Sequence, residues 1–170
     1  MKIRAGRARD MEELVALHRL LHEYSVGLNP RLWGAGPQEV STWRALYQEC
    51  LDSDSGAIFV AEEAGKLVGH VAGRVETREG ATPQVVAYIL TAFVREEWRN
   101  RGVGAALVRA LLEFFSAKGV EDISLRYIIA NREAERFWKG LGFEPLFCIA
   151  NARPAEVHQH LEQKGRRGRH

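Results

Sequence analysis

Arg99, Arg101, Gly102 and Gly104 combine positive charge with bare backbone at the start of an amphipathic run, WRNRGVGAALVRALLEFF, from Trp98 to Phe115. Glycine costs about 1 kcal/mol relative to alanine inside a helix, so two within three residues imply that the backbone itself is needed. The first four N–H groups of a helix have no partner within it, and the helix dipole adds partial positive charge at that end. Gly102 and Gly104 let a bulky anion approach without meeting a Cβ, and the two arginines add full charges. This pattern supports the cradling of a phosphate or pyrophosphate. Leu107 occupies the third glycine position of G-x-G-x-x-G, and G-x-x-x-x-G-K-[ST] is absent, so neither common nucleotide motif is present. The alternative is that the glycines only permit close packing of helix on sheet.

Such a cradle needs a strand feeding into it and a helix leading out. QVVAYILTAFV (84–94) is apolar almost throughout and predicts a central strand buried on both faces. Val103, Leu107, Ala110, Leu111 and Phe114 mark the inner face of the following helix, which Gly119 ends. DISLRYIIA (122–130) predicts a second strand, parallel to the first through a right-handed crossover. Asn131 is placed to cap a short helix carrying Ala134, Phe137, Trp138 and Leu141, and FEPLFCIA predicts a last strand. Upstream, IRAGR (3–7) predicts a first strand. Asp10 and Glu13 form a capping-box-like start to a helix carrying Leu14, Leu17, Leu21 and Tyr24. GLNPRLWGAGP (27–37) is a Gly/Pro-rich loop, a second helix runs from about Gln38 to Leu51, and two apolar runs around EAGK predict a hairpin. The fold class is α/β: a mixed sheet with helices on both faces.

The bulk properties limit the partners. A chain of 170 residues, 46% apolar, suffices for one domain with a real core. No stretch is apolar enough to span a bilayer, and the basic N-terminus lacks an apolar signal region, so neither membrane nor secretion is expected. Cys50 and Cys148 make no disulfide framework, which implies a reducing cytoplasm. The net charge is only +2, much of the basic surplus lies in the tail KGRRGRH, and no nucleic-acid motif is present. His18 and His22 share a helix face, but no third ligand is evident, so no metal is expected.

R-x-x-G-x-G (Arg99, Gly102, Gly104), between a central strand and a long helix, resembles the coenzyme A pyrophosphate loop of the GNAT acyltransferase superfamily. NREAERFWKGLGFEP (131–145) resembles that family's N-x-x-A-x-x-F-Y-x-x-x-G-F, with Asn131, Ala134, Phe137, Gly142 and Phe143 in register. The order of elements matches as well: strand, two helices, three strands, helix, strand, helix, strand. The resemblance implies a single acyltransferase domain over residues 1–153, followed by a short helix and basic tail over 154–170. It implies transfer of an acyl group, acetyl first among them, from acetyl-CoA (coenzyme A) to a primary amine by direct attack in a ternary complex. A non-catalytic acyl-CoA sensor, or a site for another phosphate ligand, are the rival readings. Family members often pair, which leaves room for a homodimer.

The resemblance also assigns residues. The backbone of Ala92, Phe93 and Val94 is expected to run beside the pantetheine arm, with an N–H near Phe93 or Val94 facing the thioester carbonyl. Arg99, Asn100, Arg101, Gly102, Val103, Gly104 and Ala105 are expected to wrap the pyrophosphate, and Asn131 to touch the cofactor near its thioester. The family's Tyr after Phe137 is Trp138 here. An indole N–H donates a hydrogen bond but is no acid near neutral pH, so Trp138 can line the pocket without protonating the thiolate. Tyr127, Tyr88 and Tyr24 are the substitute acids. The family's carboxylate base positions hold Tyr88 and Arg126, leaving Glu76 and Glu23 as candidate bases. Glu23, Tyr24 and Trp33 are expected on the acceptor side.

Overall fold

The structure is a computed structural model that describes residues 1–29 and 39–167. Trp33 lies outside the described residues. The elements are β1 (Lys2–Ala5), α1 (Met11–Leu28), α2 (Glu39–Asp52), β2 (Gly56–Glu63), β3 (Lys66–Thr77), β4 (Val85–Val94), α3 (Val103–Ala117), β5 (Asp122–Leu125), α4 (Arg132–Gly140) and α5 (Pro154–Arg167). The chain falls into two compact units, Met1–Ala134 and Glu135–His170.

In the first unit, five strands form one sheet in the order β1-β2-β3-β4-β5. The first three pairings are antiparallel and the last, β4 with β5, is parallel. The β2–β3 hairpin closes on Ala64 and Gly65, with φ of 48° and 77°, the left-handed pair whose twist suits a two-residue hairpin loop. Successive side chains of β3 point to opposite faces. His70 reaches Tyr47 of α2 on one face. On the other, a Cβ at Gly73 would lie 2.7 Å from Phe115 of α3, and one at Gly69 would lie 3.3 Å from Leu107. The helices α1 and α2 therefore cover one face and α3 the other, as the sequence predicts. The inner face of α3 is Val103, Leu107, Val108, Leu111 and Phe115, with Phe115 rather than Phe114 buried.

Four sequence expectations change. Asp10 does not cap α1 through its side chain. Its carboxylate takes two hydrogen bonds from the Arg4 guanidinium, at 2.7 and 2.9 Å, and one from the Arg7 N–H. Glu13 is also committed elsewhere, accepting from the Leu67 N–H at 2.8 Å. A buried carboxylate held by a half-buried guanidinium outcompetes a cap, because charge-assisted bonds are the stronger ones. The strand expected over 122–130 stops at Leu125. The last strand, FEPLFCIA, does not form among the described residues, and residues 143–153 carry no ladder. Pro145 offers no N–H there, and Leu146, Phe147 and Ile149 are 82, 81 and 73% exposed rather than buried. In the second unit, α5 extends to Arg167, further than the short helix read from the sequence.

Candidate active site

The register of β4 makes the site. Against β3, β4 is paired from Thr77↔Val85 through Gly69↔Val94, with a slip between Ala72↔Thr91 and Gly73↔Ile89 that leaves Leu90 as an extra residue. Against β5, pairing stops at Ile89↔Leu125. A bulge bends its strand and ends pairing locally, which is why β5 lets go one residue before Leu90. Among the described residues, β4 thus has a ladder on one side and none on the other from Leu90 to Val94. The N–H of Arg95 donates to the Val68 carbonyl at 2.9 Å. Alternation from Arg95 turns the amides of Phe93 and Thr91 towards β3 and those of Val94 and Ala92 towards the unpaired side.

The chain then enters the glycine loop. Asn100, with φ 57°, and Gly102, with φ 78°, both adopt the left-handed conformation, and Gly102 is the residue before α3. Among the described residues no side chain caps α3, and its first turn holds no acidic residue. A Cβ built on Gly102 meets nothing within 4 Å. Close helix–sheet packing is thus not what Gly102 provides; Gly69 and Gly73 of β3 serve that purpose. Gly102 supplies a positive φ and open space before the N-terminus of a 15-residue helix.

Arg99 is not a free cation. Its Nε donates to the Val94 carbonyl at 3.1 Å, and its Nη1 donates to Glu133 at 3.0 Å. Its guanidinium lies 5.1 Å from the Tyr24 ring centroid and 5.8 Å from that of Phe93. Tyr24, Phe93, Val94 and Arg99 are thereby brought together, and Arg99 joins the end of β4 to the end of α1 and the start of α4. Arg101 instead places its guanidinium 5.4 Å from the Trp98 ring and is exposed. Arg99→Ala is therefore expected to destabilise the ligand-free protein by about 1–2 kcal/mol, from two lost hydrogen bonds and two cation–π contacts, all partly solvent-screened. Urea denaturation reads this. Unchanged stability would leave Arg99 a phosphate ligand and nothing more.

The remaining sequence candidates are scattered. Asn131 caps α4, its Oδ1 accepting from the Ala134 N–H at 3.0 Å. Glu76 is held by Arg74, at 2.9 Å from Nε and 2.7 Å from Nη2. Tyr88, half-buried, sits opposite Arg74 and under the guanidinium of Arg78. Tyr127 is half-buried just beyond β5, and Glu23 is exposed. In the second unit, Trp138 is buried with Phe137 and Phe143 edge-on to it, at centroid distances of 4.9 and 5.4 Å.

One cluster exceeds what the sequence suggested. His70, in a strand, reads as a half-buried histidine with its bonds satisfied. It is fully buried, and its Nδ1 has no partner among the described residues. Its Nε2 lies 2.8 Å from the Tyr47 hydroxyl and 3.3 Å from Thr91 Oγ1 of β4. The same Tyr47 hydroxyl lies 2.8 Å from Nδ1 of His18, whose ring stacks on Trp43 at 4.6 Å. Burial lowers His70 to about 3 and His18 to about 4, with a smaller contribution from the neighbouring imidazoles, so both rings are neutral. Burial also raises the Tyr47 hydroxyl above its usual range. Next to this cluster, His22 Nδ1 pairs with Glu39 at 3.0 Å.

Among the described residues no helix is long and apolar enough to cross a membrane, and no group of acidic, histidine or cysteine side chains is gathered for a metal ion. Over 101 residues the chain is 33% identical to a protein named uncharacterized N-acetyltransferase MJ1207, from Methanocaldococcus jannaschii. That alignment covers 59% of this chain but only 45% of the relative, so the chain spans less than half of it. An N-alpha-acetyltransferase of Sulfurisphaera tokodaii is 26% identical over 149 residues, 84% of this chain and 80% of that one. Among solved structures, the aminoglycoside N-acetyltransferase AAC(6')-Iy in complex with CoA shares the fold with a TM-score of 0.68 at 20% identity, over 89% of this chain and 98% of that chain. Residues 14–143 match the Acetyltransferase (GNAT) family along the stretch that carries the open strand, the glycine loop and Asn131, and the chain belongs to that family.

Proposed function

We propose that the protein transfers an acetyl group from acetyl-CoA to a primary amine by direct attack within a ternary complex. One observation carries the reading: β4 keeps its ladder with β3 to Val94 but loses β5 at Ile89, beside a helix N-terminus that no side chain caps. An extended amide-bearing arm fits the unpaired edge as an added strand, and a pyrophosphate fits the helix start. The pantetheine amides would pair with the backbone of Ala92 and Val94. Residues Asn100 to Ala105 would hold the pyrophosphate, with Arg101 adding charge and Arg99 bracing the loop. Of the amides named from the sequence, that of Val94 faces the open side and is the candidate donor to the thioester oxygen. Asn131 and Trp138 complete the cofactor set.

Mechanistically, the amine must lose a proton before it attacks the thioester carbon, and the thiolate leaves as the tetrahedral intermediate collapses. Glu76 is engaged in an ion pair with Arg74. Tyr88 and Tyr127 remain the candidate acids, and Glu23, Tyr24 and Trp33 the acceptor-side residues. We read residues 1–153 as one cytoplasmic acyltransferase domain with 154–170 appended, working without a metal and able to pair as a homodimer. Both cysteines are free, in keeping with a reducing compartment.

Thiol release from acetyl-CoA against a panel of peptide N-termini, lysine, polyamines, amino acids and amino sugars tests the reaction. Turnover with at least one amine is expected, with the intersecting kinetics of a ternary complex. Acetyl-CoA at one hundred times its Kd should stabilise the protein by about 2.7 kcal/mol. Stabilisation without turnover would make the protein an acyl-CoA sensor. No stabilisation would remove coenzyme A altogether.

A further inference from the structure

Two arginines without an acid partner mark one end of the open stretch of β4. Tyr88 of β4 lies opposite Arg74 of β3, and Arg74 reaches Glu49 of α2 at 3.4 Å, so both stand on the face that α1 and α2 cover. Arg74 is already satisfied by Glu76 and Glu49. Arg78 is not. It follows β3 by one residue, and its guanidinium lies 5.5 Å from the centroid of the Tyr88 ring. Arg126 follows the last residue of β5. Both arginines are exposed, and among the described residues neither makes an ion pair. Glu79, next to Arg78 in the chain, and Asp122 of β5 pair with neither. Arginine meets a carboxylate with two parallel N–H bonds, and a guanidinium already held over a ring loses less freedom in doing so.

The position of this charge relative to the reaction follows from the strand. Pairing of β5 with β4 ends at Ile89, one residue beyond Tyr88, so Arg78 stands where the unpaired edge begins. The glycine loop lies at the other end of that edge. A donor with its pyrophosphate in the loop points its acyl group back along β4, towards Tyr88. Resting on the acyl-transfer reading above, we infer that Arg78, with Arg126 adding charge, selects an acceptor that carries a carboxylate remote from its amine: a short peptide with a free N-terminus and an acidic residue beyond it. The spacing sets the length. At about 3.3 Å per residue, less one residue for the bulge, Tyr88 lies about 10 Å from Ala92 and on the order of 15 Å from Val94. An amine attacking beside those residues needs its carboxylate roughly two or three peptide units away, on the third or fourth residue. A free amino acid, with both charges on one carbon, is too short. Polyamines and amino sugars bring further positive charge to a region that already holds it. Arg78 binds and orients the acceptor, and no proton or bond moves there.

Two tetrapeptide amides test this, both free at the N-terminus and differing only by glutamate or glutamine at the third residue. In low salt the glutamate peptide is expected to have the higher kcat/KM by about tenfold, most of it in KM, and the advantage should shrink as salt is added. Calorimetry of the same peptides on the coenzyme A complex should give the same order without any turnover. Arg78→Ala should cost the glutamate peptide far more than the glutamine peptide, narrowing their ratio to about twofold, while acetyl-CoA still binds. Arg78→Glu should turn the preference towards a peptide with lysine at the third residue, which simple loss of structure does not do. Equal kcat/KM for the glutamate and glutamine peptides in the unsubstituted protein would overturn the proposal. So would a glutamate preference that survives both Arg78→Glu and Arg126→Ala. If polyamines or amino sugars are acetylated and neither peptide is, the acid selection alone falls. If no amine of any kind turns over, the acyl-transfer reading falls first and the selection falls with it.

Discussion

Between pH 7.5 and pH 5 the ligand-free protein is expected to lose roughly 3 kcal/mol of stability, which urea denaturation at several pH values will measure. The loss comes from His70 and His18. Both are lowered in the folded state, to about 3 and about 4, against 6.5 in the unfolded chain. A base whose folded pKa is depressed binds its proton more readily when unfolded. Its stability contribution is therefore complete above pH 6.5 and declines as the pH falls towards the folded value. Within that window a fully buried histidine loses about 1.4 kcal/mol per pH unit, so at pH 5 His70 accounts for about 2 kcal/mol and His18, whose partial exposure lets solvent screen it, for about 1 kcal/mol. Asp10 acts in the same direction lower on the scale: the Arg4 guanidinium holds its carboxyl low, and its contribution is lost only under more acid conditions. Domains are stable by about 5–15 kcal/mol in all, so the loss at pH 5 is a sizeable fraction. A flat profile between pH 6.5 and 5 would show that the histidines charge freely in the folded protein. His18→Gln should flatten the slope in part, leaving the share of His70.

The largest effect on ligand binding is expected at the glycines. Gly104→Leu should weaken acetyl-CoA by about 100-fold, which is about 2.7 kcal/mol. Gly104 is the second residue of α3, where leucine is the better helix former, so the ligand-free protein should lose no stability. Gly102→Val should weaken acetyl-CoA similarly and also cost the free protein about 1–3 kcal/mol, because a β-branched residue is strained at φ 78°. Calorimetry and unfolding on the same variants separate the two contributions. If Gly104→Leu keeps full affinity, the backbone cradle is wrong. A loss no greater than that of Arg99→Ala, itself expected to be modest and eased by salt, would sink it equally.

Most elements were legible because their patterns are local. The 3.6-residue spacing of Val103, Leu107 and Leu111 defines α3, and an uninterrupted apolar run defines β4. The need for bare backbone before α3 was legible in the same way, since glycine is costly there without such a need, but the left-handed turn at Gly102 was not read. What decides the site was not local. Nothing in YILTAF marks Leu90 as the extra residue, because a bulge is a mismatch between two strands. Where β5 stops follows from that bulge, and so DISLRYIIA looked longer than it is. Arg99 read as a phosphate ligand because Val94, Glu133 and Tyr24, which occupy it, come from three elements. His70 read as ordinary because its partners Tyr47 and Thr91 lie 23 and 21 residues away in the chain. Asp10 and Glu13 have capping spacing, yet pairing with Arg4 and Leu67 prevailed.

The unpaired edge of β4 has a consequence for how freely this sequence can drift. Peptide groups are identical at every position, so a strand that offers its backbone makes almost no demand on residue identity at Ala92 or Val94. Selection there can act on shape, twist and the bulge, and leave the letters loose. A surface of that kind persists through extensive substitution, in the way a lock keeps its wards when the metal is changed. On the proposed reading the acceptor side depends on side chains, so a changed letter there changes what is bound. Related chains should therefore keep the backbone shape of the donor end whatever its letters, while changes at the acceptor end alter amine specificity without rebuilding the other half.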